Sequence, residues 1–202
     1  MRLLFLRAAL LHYSTLLAIA RVLPWARRRM RPGTPRSVAL TGTFFNESWI
    51  MNHLRPLAGS ALCAEIHLVC TFPVPPLDKV RVISPPAWMC RVLGRTPARL
   101  LTFVALCVQR RPDLIGGFHI FANGLFAILL ARILGSKSLY FCGGGPREVL
   151  GGGYQSNDVV AKVGHGDMWI ERRLLAAIQE CDLVITMGSR TVEFFRSRGI
   201  TS

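Results

Sequence analysis

Acidic residues are missing from the start of this chain: residues 1–36 carry eight arginines and not one Asp or Glu. More than half of the net charge of +14 therefore sits in the first 36 positions. Lysine is scarce, supplying three of the 25 basic residues, and no aromatic side chain interleaves with the cluster Arg27, Arg28, Arg29 and Arg31. A surface for nucleic acid spreads Lys and Arg over one face with aromatics for stacking, so no nucleic-acid partner is expected. The six cysteines, Cys63, Cys70, Cys90, Cys107, Cys142 and Cys181, contain no C-x-x-C pair and have no His at ligand spacing. They read as reduced, buried thiols, with neither zinc nor disulfides, and no metal site is expected. G-x-G-x-x-G and G-K-[ST] are absent, which argues against nicotinamide and P-loop sites. Without a G-x-S-x-G elbow or a carboxylate pair at fixed spacing, a self-contained hydrolase is not expected either. No Gly-X-Y period and no second long apolar run occur, which excludes collagen and polytopic membrane proteins.

What is present is a chain of 202 residues, 51% hydrophobic and 18% charged, long enough to bury a sizeable core. Its first segment, residues 1–35, reads as a basic, apolar, membrane-associating helix and linker. From Leu3 to Leu23 it is apolar at 16 of 21 positions, and Trp25 and the arginine cluster follow. Arg7, Ser14, Arg21 and Arg28 lie seven apart, one polar stripe on an otherwise apolar cylinder, as an interfacial helix requires. A single span with its arginines on the cytoplasmic side fits the same residues, as does a helix packed on its own domain. A cleaved signal peptide fits less well, because Arg7 and His12 interrupt the apolar region. Pro32, Gly33 and Pro35 then break the helix.

Residues 36–202 alternate short apolar runs with helical stretches, the pattern of a doubly wound α/β domain with a parallel, Rossmann-like sheet. The spacing predicts strands at 37–41, 64–70, 80–83, 113–118, 137–142 and 182–187. Helices are predicted at 47–57, 98–110, 122–134, 167–180 and 189–197. The proline-rich stretches 71–76 and 84–86 read as extended loops, and the glycine-rich stretch 143–166 as one long loop. The chain ends just after a helix and its capping Gly199, where a further strand or linker is expected.

Ligands of such sheets bind at the carboxyl ends of the strands, so four strand ends are candidates. Gly42 and Thr43 form a glycine turn before a helix whose N–H groups suit a phosphate, with Asn46 or Ser48 as its cap. His119 follows the second candidate strand, and Asn123 opens the helix beyond it. Gly143, Gly144, Arg147 and Glu148 lie in a loop of two glycine triplets, where backbone approaches a ligand closely and Arg147 suits an anion. Ser189 opens the last helix. His67, inside an apolar run, reads as core.

The order of these features resembles the amino-terminal domain of retaining GT-B-fold glycosyltransferases of family 4. The residues that carry the resemblance are the turn at Gly42, the run Arg111-Pro112-Asp113-Leu114-Ile115 leading to His119, and Asn123-Gly124. Further on, a helix from Glu171 to Glu180 enters Cys181-Asp182-Leu183-Val184-Ile185-Thr186, and Arg198-Gly199-Ile200 closes the chain. The run 43–49 and the 143–154 loop are similar to one bacterial branch of that family.

The resemblance implies an acceptor-side domain of a membrane-associated enzyme that transfers sugar from a nucleotide-sugar to a lipid-linked or polymeric glycan acceptor. It implies no cofactor beyond the nucleotide-sugar co-substrate. His119 would act at the cleft, Gly42, Thr43, Gly143, Gly144 and Arg147 on the donor side, and Asn46, Asn123, Glu148 and Ser189 toward the acceptor. The family's carboxyl-terminal donor domain is not among these residues, so it is expected in cis or in trans. The implied location is the cytoplasmic face of the inner (plasma) membrane, peripheral or single-anchored, with residues 1–31 on an anionic surface. The rival is a non-catalytic, membrane-docked binding module with the same cleft; a nucleotide-dependent oxidoreductase is the third reading.

Overall fold

The computed structural model describes residues 2–22, 33–44, 46–156, 158–161 and 165–201. Trp25, Arg27, Arg28, Arg29, Arg31, Pro32 and Phe45 lie outside the described residues.

Six runs rich in Val, Leu, Ile, Phe and Cys form strands: β1 (Arg36–Thr41), β2 (Cys63–Val69), β3 (Val80–Ile83), β4 (Leu114–Phe118), β5 (Lys137–Cys142) and β6 (Leu183–Thr186). All pair in parallel in one sheet ordered β3-β2-β1-β4-β5-β6. Both faces of the central strands are covered, so these strands read as continuous apolar runs without polar alternation. The edge strand β6 does alternate in exposure. This is a Rossmann-like α/β sheet, with the reversal of strand order between β1 and β4.

The helices are α1 (Arg2–Val22), α2 (Glu47–Gly59), α3 (Ala87–Leu93), α4 (Arg95–Arg110), α5 (Leu125–Leu134), α6 (Asp158–Ala161), α7 (Met168–Gln179) and α8 (Ser189–Arg196). On one face, Ile50, Leu54 and Ala58 of α2 pack with Leu40, Leu68, Phe118 and Phe141. On the other, Phe103 and Cys107 of α4 and Ala127 and Ala131 of α5 pack with Ala39, Val69 and Ile115. His67 lies in the core at 2% exposure, and five of the six cysteines are buried, all six being free thiols.

Two matching pairs pin the amino-terminal edge of the sheet. Asp113 accepts the N–H and hydroxyl of Ser37 (2.9 and 3.0 Å), and Ser37 Oγ in turn accepts the Asp113 N–H. Asp182 and Ser138 repeat the arrangement at β6 and β5, with Lys137 alongside at 2.5 Å.

Three local expectations are corrected. The connection after β3 contains a helix, α3, which the periodicity missed because none of its residues is buried. Helix α5 starts at Leu125 instead of 122, because Ile120–Gly124 forms a wide, kinked turn with Ala122 at φ 56°. The glycine-rich stretch is not one loop: it holds tight turns at Gly145–Glu148 and Leu150–Gly152 and the short α6. Gly151, Gly152 and Gly153 all take positive φ there, which three glycines make cheap.

The first helix packs on its own domain. Leu10 and Leu17 join the core that α7 forms with Ile128 and Tyr140. Arg7 reaches Asp167 at 2.8 Å and Arg21 reaches Glu180 at 2.5 Å. Arg7 and Arg21 of the polar stripe thus pair with the domain while their side chains stay 45% exposed, and Leu4, Phe5 and Val22 are 70, 77 and 80% exposed alongside them. Among the described residues this is the one helix long and apolar enough to cross a membrane.

Candidate functional site at the strand ends

The turns that follow β1, β4 and β5 meet at the carboxyl edge of the sheet, around the reversal of strand order. His119 is the first residue beyond β4. Its backbone is strained, at φ 64° and ψ 142°, a region that costs a non-glycine residue about 1–3 kcal/mol. Its surroundings hold it there: its N–H donates to Phe141 O (3.0 Å) and its carbonyl accepts from Gly124 N–H (2.8 Å). The ring is sandwiched on one side by Trp49, at 5.6 Å between centroids and 15° between planes. Nδ1 lies 2.8 Å from Glu148 Oε1, and the side chain keeps 25% exposure.

Glu148 is the centre of this arrangement, 3% exposed and surrounded by donors. Oε1 accepts from Gly144 N–H (2.5 Å) as well as facing His119 Nδ1, while Oε2 accepts from Ile120 N–H (2.9 Å) and Tyr140 OH (2.7 Å). Burial, with Glu148 beside it, pushes the Tyr140 hydroxyl well above its ordinary pKa, so it remains a donor. A carboxylate at Nδ1 selects the tautomer with a proton on Nδ1. In the neutral ring Nε2 then carries the lone pair. The local cause is the turn Gly145–Glu148, which carries Glu148 back beneath His119. A side chain on Gly143 would collide with the Trp49 ring, its Cβ coming within 2.5 Å, and would reach His119 at 3.4 Å.

Asn123 is also buried, at 3% exposure. Its Nδ2 donates to Phe118 O (2.8 Å), and its Oδ1 accepts from Arg99 (2.7 Å). The Arg99 guanidinium also donates to Thr43 Oγ1 (3.0 Å), linking the β1 and β4 turns. Glu148 and Asn123, read as acceptor-side groups, therefore spend their polar atoms on the protein itself. Asn46 caps α2, accepting Trp49 N–H at 2.8 Å. Gly42 is a packing glycine: a Cβ there would come within 2.9 Å of Phe118 and of the Phe44 ring. Gly144 and Arg147 are exposed beside the network, and Ser189 is exposed at the head of α8, whose Thr191 neighbours Gly145.

The structure thus joins His119, Glu148, Gly143, Gly144, Asn123 and Thr43 in one region. Sequence reasoning missed Tyr140, Trp49 and Arg99. Arg99 had a readable signal, since Arg99, Phe103 and Leu106 fall at i, i+4 and i+7 on the apolar face of α4. Among the described residues no group of three His, Cys, Asp or Glu side chains is placed to hold a metal ion. A small cavity lined by Leu17, Arg132, Ser138, Glu180 and Asp182 lies at the opposite edge of the sheet, away from these groups.

No protein-family model and no curated protein matches the sequence. Among solved structures, the chain is similar to UDP-GlcNAc 2-epimerase from Methanocaldococcus jannaschii, at 10% identity and a TM-score of 0.48, over 81% of this chain and 43% of that one. The chain thus spans less than half the length of that structure.

Proposed function

We propose that this chain is the acceptor-side domain of a membrane-associated glycosyltransferase that moves a sugar from a nucleotide-sugar to a lipid-linked or polymeric acceptor. The observation that carries the reading is His119, a partly exposed imidazole at the switch point of the sheet. Its strained backbone and single tautomer are enforced by Glu148, Phe141 and Gly124. Strain of this kind, held by surroundings that over-determine it, is found where a side chain must be presented to a ligand. The order of motifs in the sequence supplies the reaction class. In this reading the partly exposed His119 ring borders the sugar near the anomeric carbon, Arg147 orients an anionic group, and a second α/β domain in cis or in trans holds the rest of the donor.

The membrane part rests on α1. Arg7 and Arg21 pair with Asp167 and Glu180, Leu4, Phe5, Leu11, Ile19 and Val22 are exposed, and the arginines at 27–31 follow in the sequence. Such a face buries itself at the headgroup boundary on the cytoplasmic leaflet, and each juxtamembrane arginine adds about 1 kcal/mol on anionic lipid.

The test is sugar transfer from labelled nucleotide-sugars in membranes holding the chain with its second domain. His119→Ala is expected to lower turnover per folded molecule about a hundredfold, the scale of one preorganised polar contact. Near-parental turnover refutes the catalytic role. Charge reversal of Arg27, Arg28 and Arg29 is expected to release the chain from anionic vesicles; unchanged sedimentation removes the electrostatic part.

A further inference from the structure

Helix α3 buries none of its residues, and what it exposes is largely apolar: Trp88, Val92 and Leu93 are 63, 74 and 43% exposed. It lies against α4, with Met89 facing the Thr102 hydroxyl. On α4, Phe103 and Cys107 fill the core, yet Leu101, Ala105 and Val108, spaced i, i+4 and i+7 on the other side, are exposed as well. A surface helix ordinarily turns polar residues to water along that stripe. Apolar side chains gathered on neighbouring helices and rimmed by charge mark a docking surface.

The charge around these helices says what docks there. From Lys79 to Pro112 the chain holds seven basic residues and no Asp or Glu. Arg81, Arg91 and Arg95 are exposed, and none of the three forms an ion pair among the described residues. A second copy of a chain with net charge +14 would set the same cations against each other, whereas an anionic lipid surface pairs with them. Tryptophan suits that surface too, because its amphipathic ring settles at headgroup level. Position agrees: α5 packs Ala127 and Ala131 with Phe103 of α4, and Ile128 with Leu10 and Leu17 of α1, so the α3–α4 pair and α1 lie on the same side of the sheet.

We propose that the α3–α4 pair is a second lipid-docking surface, separate from the amino-terminal arm, in which Trp88 and Val92 of α3 and Leu101 of α4 enter the headgroup boundary of an anionic leaflet while Arg81, Arg91 and Arg95 meet its phosphates. It rests on different residues from the arm and holds without those at 27–31. One consequence does rest on the transfer reading: Arg99 of α4 donates to Thr43 in the turn after β1 (3.0 Å), so the amino end of α4 stands at the carboxyl edge of the sheet. Docking there holds the mouth of the cleft at the membrane, where a lipid-linked acceptor lies.

The experiment is co-sedimentation of the full chain with phosphatidylcholine vesicles containing phosphatidylglycerol, and tryptophan quenching by the same vesicles made with brominated lipid. Trp88→Ala combined with Val92→Ser, both exposed substitutions, should lower partitioning about tenfold or more, the scale of burying one large apolar side chain. Arg91→Gln and Arg95→Gln should each lower it about fivefold on anionic vesicles and leave binding to pure phosphatidylcholine unchanged. Trp88→Phe should remove a large share of the quenching. Equal partitioning of parent and the Trp88/Val92 variant overturns the surface, and so does quenching unchanged in Trp88→Phe, even where the chain is still held through α1. A lipid-free dimer that Trp88→Ala dissolves assigns the face to a second copy and overturns it as well. Charge reversal at Arg27, Arg28 and Arg29 reads the arm separately: binding lost there but kept in the Trp88/Val92 variant leaves the arm and refutes this surface, and the reverse leaves this surface alone.

Discussion

Replacing Glu148 by Gln tests the central arrangement most directly, because an amide cannot satisfy the donors that a carboxylate does. Each carboxylate oxygen takes one backbone N–H, Gly144 on Oε1 and Ile120 on Oε2. An amide offers one oxygen, so in either orientation its NH2 group faces a backbone N–H. The cheaper orientation keeps oxygen on Ile120, which is buried, and turns nitrogen toward exposed Gly144 and the imidazole. The Gly144 bond is then lost, and the Ile120 and Tyr140 bonds fall from charge-assisted to neutral strength. At about 1 kcal/mol for each of these three changes, the loss is about 3 kcal/mol. For a chain of this size that lowers the melting temperature by roughly 6–12 °C. Urea unfolding of parent and variant measures the first number. The second consequence is chemical: a Gln NH2 donates to Nδ1, which must become the acceptor, moving the ring proton to Nε2. Nitrogen-15 NMR of the imidazole reports the tautomer directly. A variant within 1 kcal/mol of the parent, or one with the Nδ1 proton retained, refutes the arrangement around Glu148.

Two further outcomes follow from contacts elsewhere. Burial by itself would raise the Asp167 carboxyl, but the N–H groups of Ile170 and Trp169 and the Arg7 guanidinium outweigh it and hold the carboxyl below 3.8. Its contribution is therefore complete above the ordinary carboxylate range and is lost as pH falls through the depressed folded value; Arg7→Met should move acid unfolding to higher pH and flatten the stability slope below about pH 4, and an unchanged acid midpoint by circular dichroism contradicts this. Gly117→Ala would place its Cβ 2.4 Å from backbone atoms of Asn123, so a loss of about 3 kcal/mol or more in denaturant unfolding is expected, and a variant as stable as the parent disproves the close approach.

The strands were legible because a parallel sheet covered on both faces demands unbroken apolar runs, and each of the six runs occurs with punctuation at its ends. The extent of α3 was not, since a helix with no buried residue lacks the periodicity that reveals one. The orientation of α1 escaped for a different reason: a polar stripe looks the same whether it meets water or the partners Asp167 and Glu180, which lie more than 150 residues away. His119 could be found from its place after a buried strand, but its backbone strain had no local sign, and the four donors around Glu148 come from segments that only the folded sheet assembles.

The paired Ser and Asp residues at the amino-terminal edge divide the labour of the sheet. Ser37 with Asp113 and Ser138 with Asp182 weld the starting ends of β1 to β4 and of β5 to β6, so register there is set without help from the turns at the far edge. Those far turns are thereby released from holding the strands in line. Loops grafted after β6, beyond the turn that carries Glu148, should leave the scaffold beneath in frame, which makes that strand end the natural place to diversify or re-engineer the chain.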